Sequence, residues 1–309
     1  MGNCLSFSFN KRMTVEDTSM LPIESEVQRQ QLLNFYISNL WESNFSSPID
    51  NELKKGGKLI LDVGCGSGSW LLEVARMYPN NQYFGVDIAP LFPTNGLPEN
   101  VHFVMGNILN GLPFLCETFD FVHQRFLVRN FNTRNWQMAI KELTRVAKPG
   151  AQIELMEMDL ITYNQGPTTK KLFEAFLAAM HSRGISPTIK AILKRTLISN
   201  KSLENIDMNS MNGLLRQWDG IEFFENGIEI FKLMKRINSE FMSVPSSEYD
   251  EMLETYHREI FENETYVKTY RFMAQKKNTK RIKNPKSSNF LQKHKSHRRS
   301  TQSIQSFFL

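Results

Sequence analysis

Lys58–Gly68, which reads KLILDVGCGSG, is the most informative segment of this 309-residue sequence. Its first half, up to Val63, is mostly apolar and predicts a buried β-strand that ends at a loop. The loop has glycine at every second position, at Gly64, Gly66 and Gly68. Glycine lets the backbone turn sharply and approach a ligand closely, and open α/β sheets bind ligands beyond the carboxyl ends of their strands. The stretch therefore predicts a ligand-binding strand–turn–helix unit.

Strands and helices alternate along the chain after this stretch. The predicted strands are Gln82–Val86, Val101–Met105, Phe119–His123 and Gln152–Glu157, and the predicted helices are Ser69–Tyr78 and Trp136–Ala147. We expect a turn at Lys148–Gly150 before the last of these strands. Buried strands separated by helices indicate a doubly wound, mostly parallel α/β sheet that is covered on both faces.

The pattern becomes helical after Asp159. Helical spacing of apolar residues predicts helices at Ile23–Trp41, Thr168–His181, Thr188–Leu197, Ile228–Phe241 and Glu248–Phe261. Two β-like runs, Asn205–Met211 and Val267–Ala274, predict an antiparallel pair that closes the edge of the sheet. The expected fold is thus a doubly wound α/β sheet with an antiparallel edge strand and an inserted helical cap.

Composition divides the chain into a folded body and two polar flanks. Hydrophobic residues make up 41% and charged residues 22%, the balance of a globular domain. Ten of the 37 Lys and Arg lie from Lys276 onward, where no acid occurs, so the preceding residues have 27 bases against 32 acids, a net charge of −5. We expect a flexible segment at 1–20, a domain at 21–276 with its core at 56–160 and its cap and edge strands at 161–276, and a disordered basic tail at 277–309.

The residues around the glycine loop distinguish between cofactors. A nicotinamide fingerprint places its third glycine three residues after the second, where this sequence has Ser69. Asp62, two residues before the first glycine, suits a ligand with an ammonium group better than it suits a pyrophosphate. Asp87 ends the second strand, near the spacing of an acid that accepts hydrogen bonds from a ribose diol. The pattern favours S-adenosylmethionine and keeps a nicotinamide cofactor as an alternative.

From about Leu21 to Lys276 the sequence resembles the class I S-adenosylmethionine-dependent methyltransferases, and within them the fungal LaeA-like methyltransferase-domain proteins. The motifs that carry the resemblance are Lys58–Gly68, Gly85–Ile88, Leu97–Val101, Gly111–Phe114, Phe119–Arg125, Lys148–Gly150 and Ile153–Leu155. The glycine motif alone is moderately specific, whereas the ordered set is highly specific. The resemblance implies S-adenosylmethionine as the cofactor of a methyltransferase domain.

The resemblance also implies roles for individual residues. The cofactor-binding candidates are Asp62, Gly64, Cys65, Gly66, Gly68, Asp87, Ile88, Asn107, Ile108 and Gln124. The loop residues would frame the methionine part of the cofactor, with Gln124 beside it. Asp87 would bind the ribose hydroxyls and Ile88 would pack on the adenine. The family usually has an acid where Asn107 stands, and Asn107 can still accept a hydrogen bond from the adenine amino group.

Methyl transfer from a sulfonium needs alignment and exclusion of water more than a dedicated catalytic residue. A base helps when the acceptor is a hydroxyl or a carboxylic acid, and His123 is the nearest candidate, with Glu157 and Asp159 as comparable ones. A histidine at a strand end is more often structural. The three cysteines are too scattered for a zinc site, and we predict no metal. Aromatic candidates for an acceptor pocket are Tyr163, Trp218, Phe223 and Phe224.

Both ends of the chain carry short motifs. Gly2 and Cys4 fit the patterns of N-myristoylation and palmitoylation, so a membrane surface is a candidate partner. Thr301–Phe308 resembles the box through which proteins bind sliding clamps, although Thr301 stands at the glutamine position. The clamp contacts would be Ile304, Phe307 and Phe308.

The leading hypothesis is an enzyme that methylates a small molecule, or as second choice a protein. His123–Phe126 stands where base amino-methyltransferases have an Asn/Asp-Pro-Pro-aromatic signature, and we expect no direct sequence-specific binding of nucleic acid. The alternatives are a non-catalytic, cofactor-binding regulator or adaptor that works through its tails, and a nicotinamide oxidoreductase. The expected location is the cytoplasm, with membrane attachment as an addition and the nucleus as an alternative.

Overall fold

A computed structural model of the chain describes residues 23–215, 228, 231–232 and 235–278. The strands are β1 (Leu59–Val63), β2 (Gln82–Asp87), β3 (Val101–Met105), β4 (Phe119–Arg125), β5 (Ala147–Tyr163), β6 (Leu203–Leu214) and β7 (Tyr266–Lys276). The helices are α1 (Ile23–Trp41), α2 (Asp50–Lys55), α3 (Ser69–Met77), α4 (Thr133–Val146), α5 (Pro167–Ser182), α6 (Lys190–Ser199), α7 (Lys235–Met242) and α8 (Ser246–Glu262). The flank predicted at 1–20 and nearly all of the predicted tail lie outside the described residues.

The strands form one sheet in the order β3-β2-β1-β4-β5-β7-β6. Strands β1 to β5 are parallel, and β7 runs antiparallel to both of its neighbours, β5 and β6. The chain order reverses at β1, where Val63 has Val86 on one side and Gln124 on the other. A crevice for ligands opens at such a point. The predicted doubly wound, mostly parallel fold and its late antiparallel strands are confirmed.

The largest difference from the predicted elements is in β5. The residues predicted as a turn, Lys148–Gly150, lie within this strand, at an irregularity of the β4–β5 ladder. Gly150 has a φ of 81°, so the Pro-Gly signal marks a β-bulge and not a chain reversal. The strand also continues beyond its predicted end to Tyr163, because β7 provides a partner there in Tyr266.

Helices cover both faces of the sheet. Apolar side chains of α2 and α3 pack against β1, β2 and β4 on one face, and those of α4, α6 and α8 belong to a larger cluster on the other. Helix α4 begins earlier than predicted because Asn132 and Asn135 form a capping box, in which Asn132 Oδ1 accepts from the N–H of Asn135 at 3.0 Å. This cap satisfies N–H groups at the helix start that would otherwise be unpaired.

A buried ion pair ties β5 and β7 to the connection between α1 and α2. Glu154 and Arg271 are at most 1% exposed, and Arg271 Nε lies 3.7 Å from Glu154 Oε1. Arg271 Nη1 also donates to Ser43 Oγ at 2.8 Å. Glu154 accepts from the backbone N–H groups of Ser46 and Ser47 at 2.9 and 2.7 Å. The pair therefore anchors the chain that leaves α1 to the middle of the sheet.

Candidate functional site

The loop after β1 has a left-handed backbone at all three of its glycines. The φ angles of Gly64, Gly66 and Gly68 are 71°, 54° and 74°, in a region that residues with side chains avoid. The N–H of Gly64 donates to Val86 O at 2.7 Å, so the loop turns against the end of β2. A Cβ atom on Gly68 would collide with the ring of Phe103. The alternating glycines are thus needed for this backbone path.

Asp87, the last residue of β2, is bonded to the same loop. Its Oδ2 accepts from the N–H of Gly66 at 2.8 Å, and its Oδ1 accepts from the N–H of Ala89 at 2.9 Å. Burial raises the pKa of this carboxyl, and the two backbone donors oppose that shift. A carboxylate offers about four lone-pair sites, so Asp87 keeps acceptor capacity for the hydroxyls of a ligand.

Helix α1 covers the loop with a side chain that the sequence analysis did not single out. Gln30 Oε1 accepts from the N–H of Ser67 at 2.7 Å, and a Cβ atom on Gly66 would collide with it. Gln30 Nε2 donates to Glu26 Oε1 at 2.8 Å, and Glu26 forms a two-pronged ion pair with Arg29. The helical pattern of α1 gave no signal for this contact, because the contact depends on how the helix packs against a distant loop.

Asp62 and His123 form a buried pair on the neighbouring strands β1 and β4. His123 Nδ1 lies 2.8 Å from Asp62 Oδ1, and each residue is 1% exposed. The imidazole stacks on the indole of Trp70, with 3.6 Å between ring centroids. Burial lowers the pKa of His123, so the neutral ring donates its Nδ1–H to Asp62. A general base must reach the proton it removes, and this enclosure argues against the hypothesis that His123 is the base.

Gln124, near the end of β4, has one hydrogen-bonded and one unpaired side-chain atom. Its Nε2 donates to Glu157 Oε1 at 2.7 Å, whereas its buried Oε1 has no hydrogen-bond partner among the described residues. Glu157 also accepts from the N–H groups of Leu127 and Val128 at 2.7 and 3.1 Å. Burial raises the pKa of Glu157 to about 8 despite these donors. Glu157, a second base candidate, therefore holds the Gln124 amide and the turn after β4.

The residues predicted for the adenine side of the cofactor follow β2 and β3. Ile88 is half-buried and Ile108 is buried. Asn107 Oδ1 accepts from the N–H of Leu109 at 2.9 Å and caps the short 3-10 turn that follows β3. An amide oxygen has a second lone pair, so Asn107 can still accept from a ligand. Cys65 is buried, and burial raises the pKa of its thiol well above the usual range.

Two other candidates from the sequence are engaged in packing between β5, β7 and the cap. Asp159 accepts from Tyr270 Oη at 2.9 Å and from the N–H of Ile189 at 3.0 Å. Tyr163 stacks on Tyr266, with ring centroids 5.0 Å apart. The structure thus gives both side chains partners within the fold. The remaining aromatic candidates, which lie outside the described residues, are Trp218, Phe223 and Phe224.

A cleft of about 960 Å³ borders the glycine loop between α1 and α3. Ser67 and Ser69 of the loop region line it, together with Asn34 and Glu73, whose side chains are hydrogen-bonded at 2.7 Å. Asp87 is not among the lining residues, so the cleft adjoins the loop without including the acid of β2. Within the described ranges, no group of three His, Cys, Asp or Glu side chains is arranged to hold a metal ion.

Known proteins with similar sequences include an N-methyltransferase and a regulator of secondary metabolism. Residues 60–150 match a family model described as a methyltransferase domain. The N-methyltransferase verN of Clonostachys rogersoniana is 32% identical in an alignment of 195 residues that covers 60% of this chain and 66% of that protein. The secondary metabolism regulator laeA of Coprinopsis cinerea is 31% identical over 144 residues, which are 46% of this chain and 35% of that protein. The chain spans less than two thirds of the length of either relative.

A similar solved structure is phosphoethanolamine N-methyltransferase 2 of Haemonchus contortus in complex with S-adenosyl-L-methionine. It is 16% identical, with a TM-score of 0.46, and the match covers 83% of this chain and 60% of that one.

Proposed function

Because this chain belongs to the class I S-adenosylmethionine-dependent methyltransferases and is LaeA-like, we propose that it methylates a small-molecule acceptor. The family assignment made from the ordered sequence motifs is confirmed by the family model and by these relatives. The nature of the acceptor is part of the proposal, and a protein acceptor is the second choice.

The observation that carries the proposal is the hydrogen bond between the N–H of Gly66 and Asp87 Oδ2, 2.8 Å long. It joins a backbone cradle to the acid at the end of the next strand. Cβ atoms on Gly66 or Gly68 would collide with Gln30 and Phe103, so only glycine allows this backbone path. A nucleoside with an amino-acid tail needs both parts, since the acid accepts from ribose hydroxyls and the bare backbone allows close approach of the tail. The residues present therefore fit S-adenosylmethionine.

When bound, the cofactor supplies a methyl group that its sulfonium activates for transfer. Asp87 would accept from the ribose hydroxyls, and the unpaired Gln124 Oε1 would be available to accept from the ammonium group of the methionine part. Glu157 keeps the Gln124 amide in this orientation through its hydrogen bond to Nε2. The chain's contribution to the reaction is to align donor and acceptor and to exclude water.

Calorimetric titration with S-adenosylmethionine and S-adenosylhomocysteine tests the site. We expect wild-type protein to bind both, and Asp87→Ala to bind each at least about tenfold more weakly, because hydrogen bonds to a charged group are lost. Glu99→Ala is the matched control, since this acid is exposed in the connection between β2 and β3 and should leave affinity unchanged. Absence of heat with the wild type, or equal affinity of the Asp87 variant, would contradict the proposal.

Turnover requires a separate measurement, because a regulator or adaptor that only binds the cofactor has the same site. Incubation with a metabolite extract and a donor labelled in its methyl group should transfer label to a small molecule. Binding without label transfer would favour the adaptor, and transfer to protein would favour the second choice of acceptor. A nicotinamide oxidoreductase would instead bind NADH.

The motifs at the two ends give rise to further proposals about location. The residues concerned, which lie outside the described residues, are Gly2, Cys4, Ile304, Phe307 and Phe308. No helix in the described part of the chain is long and apolar enough to cross a membrane. Mass spectrometry of Gly2 from the native host tests acylation and membrane attachment. A pull-down of the sliding clamp tests the nuclear alternative. Recovery of the clamp by the wild type but not by Phe307→Ala/Phe308→Ala would favour the nucleus over the cytoplasm.

A further inference from the structure

Gln124 and Glu157 form a buried polar unit that borders the glycine loop. Gln124 lies beside Val63 in the register of β4 and β1, and Val63 directly precedes the loop. The turn after β4 also reaches the loop, since a Cβ atom on Gly64 would lie 3.0 Å from Leu127 Cδ2. Glu157 holds this turn by accepting from the N–H of Leu127 at 2.7 Å. The unit is therefore next to the place expected for the methionine part of the cofactor.

Glu157 is a fully buried carboxyl whose hydrogen bonds all come from neutral groups. It is 0% exposed and accepts from Gln124 Nε2 at 2.7 Å and from the N–H groups of Leu127 and Val128 at 2.7 and 3.1 Å. It forms no ion pair with any residue that the structure describes. Burying a charged carboxyl is costly unless a cation lies in contact with it. Burial accordingly raises the pKa of Glu157 to about 8, so the carboxyl is mostly protonated at pH 7.

The titratable groups around Glu157 leave it without a contacting cation. Arg129, in the turn after β4, lowers the pKa of Glu157, but less than each of the three hydrogen bonds does. Tyr270 of β7, which lies opposite Glu157 in the register, donates its Oη–H to Asp159 at 2.9 Å. The charged residues of α1 and of the segment after α5 that act on Arg129 are Glu26, Arg29 and Arg183. A cation brought closer to Glu157 would therefore favour its ionised form.

The Gln124 amide connects this carboxyl to the expected position of the ligand. Its Nε2 donates to Glu157, and its Oε1 is buried without a hydrogen-bond partner among the described residues. An ammonium group that donates to Oε1 would be separated from the Glu157 carboxyl by a single amide group. Binding of the ammonium and ionisation of Glu157 should therefore favour one another.

We propose that binding of the cofactor's ammonium group drives a proton from the Glu157 carboxyl into the solvent, with the Gln124 amide as the connection. This proposal rests on the proposed function and adds that cofactor affinity depends on pH. The O–H bond of the carboxyl breaks, and the buffer takes up the proton.

Glu157 is thus a positioning residue that acts through Gln124. An ionised carboxyl can only accept hydrogen bonds, so it keeps Nε2 of Gln124 toward itself and Oε1 toward the ligand. A protonated carboxyl can donate to Oε1, which permits the reversed amide and turns Nε2 toward the ammonium group. Loss of the proton therefore selects the amide orientation that suits the cofactor.

Calorimetric titration with S-adenosylhomocysteine at pH 7, in buffers of different ionisation enthalpy, measures the proton release. This ligand has the ammonium group without the charge of the sulfonium. We expect release of more than about half a proton per site, because a carboxyl with a pKa of about 8 is mostly protonated at pH 7. Affinity should rise with pH from about 6 to 8, by at most about tenfold per pH unit. 5′-Methylthioadenosine, which lacks the amino-acid part, should bind without releasing a proton.

A substitution of Glu157 tests whether this carboxyl is the source of the proton. Glu157→Gln cannot titrate, so its binding of S-adenosylhomocysteine should release no proton and should not change with pH in that range. Glu99→Gln makes the same chemical change at an exposed position between β2 and β3 and is the matched control. The control should release protons as the wild type does.

Three results would overturn the proposal: no proton release when the wild type binds S-adenosylhomocysteine, equal release with 5′-methylthioadenosine, or wild-type release from Glu157→Gln. If Glu157→Gln does not fold, the comparison of the two ligands on the wild type still decides. Binding of S-adenosylhomocysteine without release would reject this proposal alone. Absence of any binding would reject the proposed function and this proposal with it.

Discussion

At position 66 the backbone, not a side chain, determines what the site can accept. Gly66 has a φ of 54°, and a Cβ atom there would collide with Gln30 Oε1. Gly66→Ala should therefore lower the unfolding free energy by roughly 1–2 kcal/mol, the cost of a left-handed alanine. The collision with Gln30 should lower it further. Gly57→Ala is the control, because Gly57 has a φ of 75° with nothing within 4 Å of its added Cβ. Urea unfolding should show a larger loss of unfolding free energy for Gly66→Ala than for Gly57→Ala. Equal losses would mean that the Gln30 side chain moves aside at no cost.

A second residue-scale prediction concerns the pH dependence of stability. The pKa of Glu157 is about 8 in the folded protein, against an ordinary value of 4.5. The folded state therefore keeps a proton that the unfolded state loses, so this carboxyl makes stability fall as pH rises from about 4.5 to 8. The slope is at most about 1.4 kcal/mol per pH unit.

Glu157→Gln cannot titrate and should flatten the stability curve in that range, whatever its absolute stability. Chemical unfolding at several pH values between 5 and 8 measures the slope. His123, whose lowered pKa gives a slope of the opposite sign below its ordinary value of 6.5, is common to both proteins and cancels in the comparison. An unchanged slope would show that the three donors keep Glu157 ionised.

The positive φ angles of the glycines and the position of Asp87 beside them follow from a strand–turn–helix unit, so local sequence could predict them. Their role in binding a cofactor stays a prediction. For His123, the position at a strand end allowed either a base or a structural histidine, and the stacking of Trp70 on the ring favours the structural role. Sequence patterns missed Gln30, since this residue matters only through a loop that is distant in sequence. Side-chain type and strand position predict the glycine loop after β1 well. They do not predict which polar side chains become buried by residues that are distant in sequence.

At the scale of elements, Gln30 is the side chain that bonds α1 to the glycine loop in the described part of the chain. Gln30→Ala removes the hydrogen bonds to Ser67 and Glu26, each worth about 1 kcal/mol net. We expect faster hydrogen exchange of the Ser67 amide and of α1, because local opening becomes easier. Gln31→Ala is the control, since this neighbouring residue is exposed and lines the cleft between α1 and α3. Equal protection in the two variants would mean that α1 is held elsewhere.

The strands show why elements are easier to predict than their arrangement. Periodicity and turn residues located β1 to β4 almost to their ends, since each is a short apolar run. The Pro-Gly pair of β5 was misread as a turn, because a bulge and a reversal use the same residues. The insertion of β7 between β5 and β6 joins segments that are far apart in the chain, and sequence patterns predicted an antiparallel pair without its order in the sheet.

At the scale of the whole molecule, the buried pair of Glu154 and Arg271 connects the late strands to the N-terminal helices. Removing one partner leaves an uncompensated charge in a site at most 1% exposed. Arg271→Ala and Glu154→Ala should therefore each lose about 3–5 kcal/mol of unfolding free energy. Arg258→Ala, at an exposed position of α8, is the control and should stay within about 0.5 kcal/mol of wild type.

The double variant Arg271→Ala/Glu154→Ala separates charge burial from lost packing. If the pair acts as a unit, the double loss is smaller than the sum of the single losses by about 0.5–3 kcal/mol, because no charge remains unpaired. Chemical unfolding of all four proteins measures this coupling. Strict additivity would mean that each side chain anchors the Ser43–Ser47 connection independently. In either case, loss of the pair should loosen the Ser43–Ser47 connection and, with it, α1. Cofactor affinity should therefore fall in both single variants, although neither residue contacts the glycine loop.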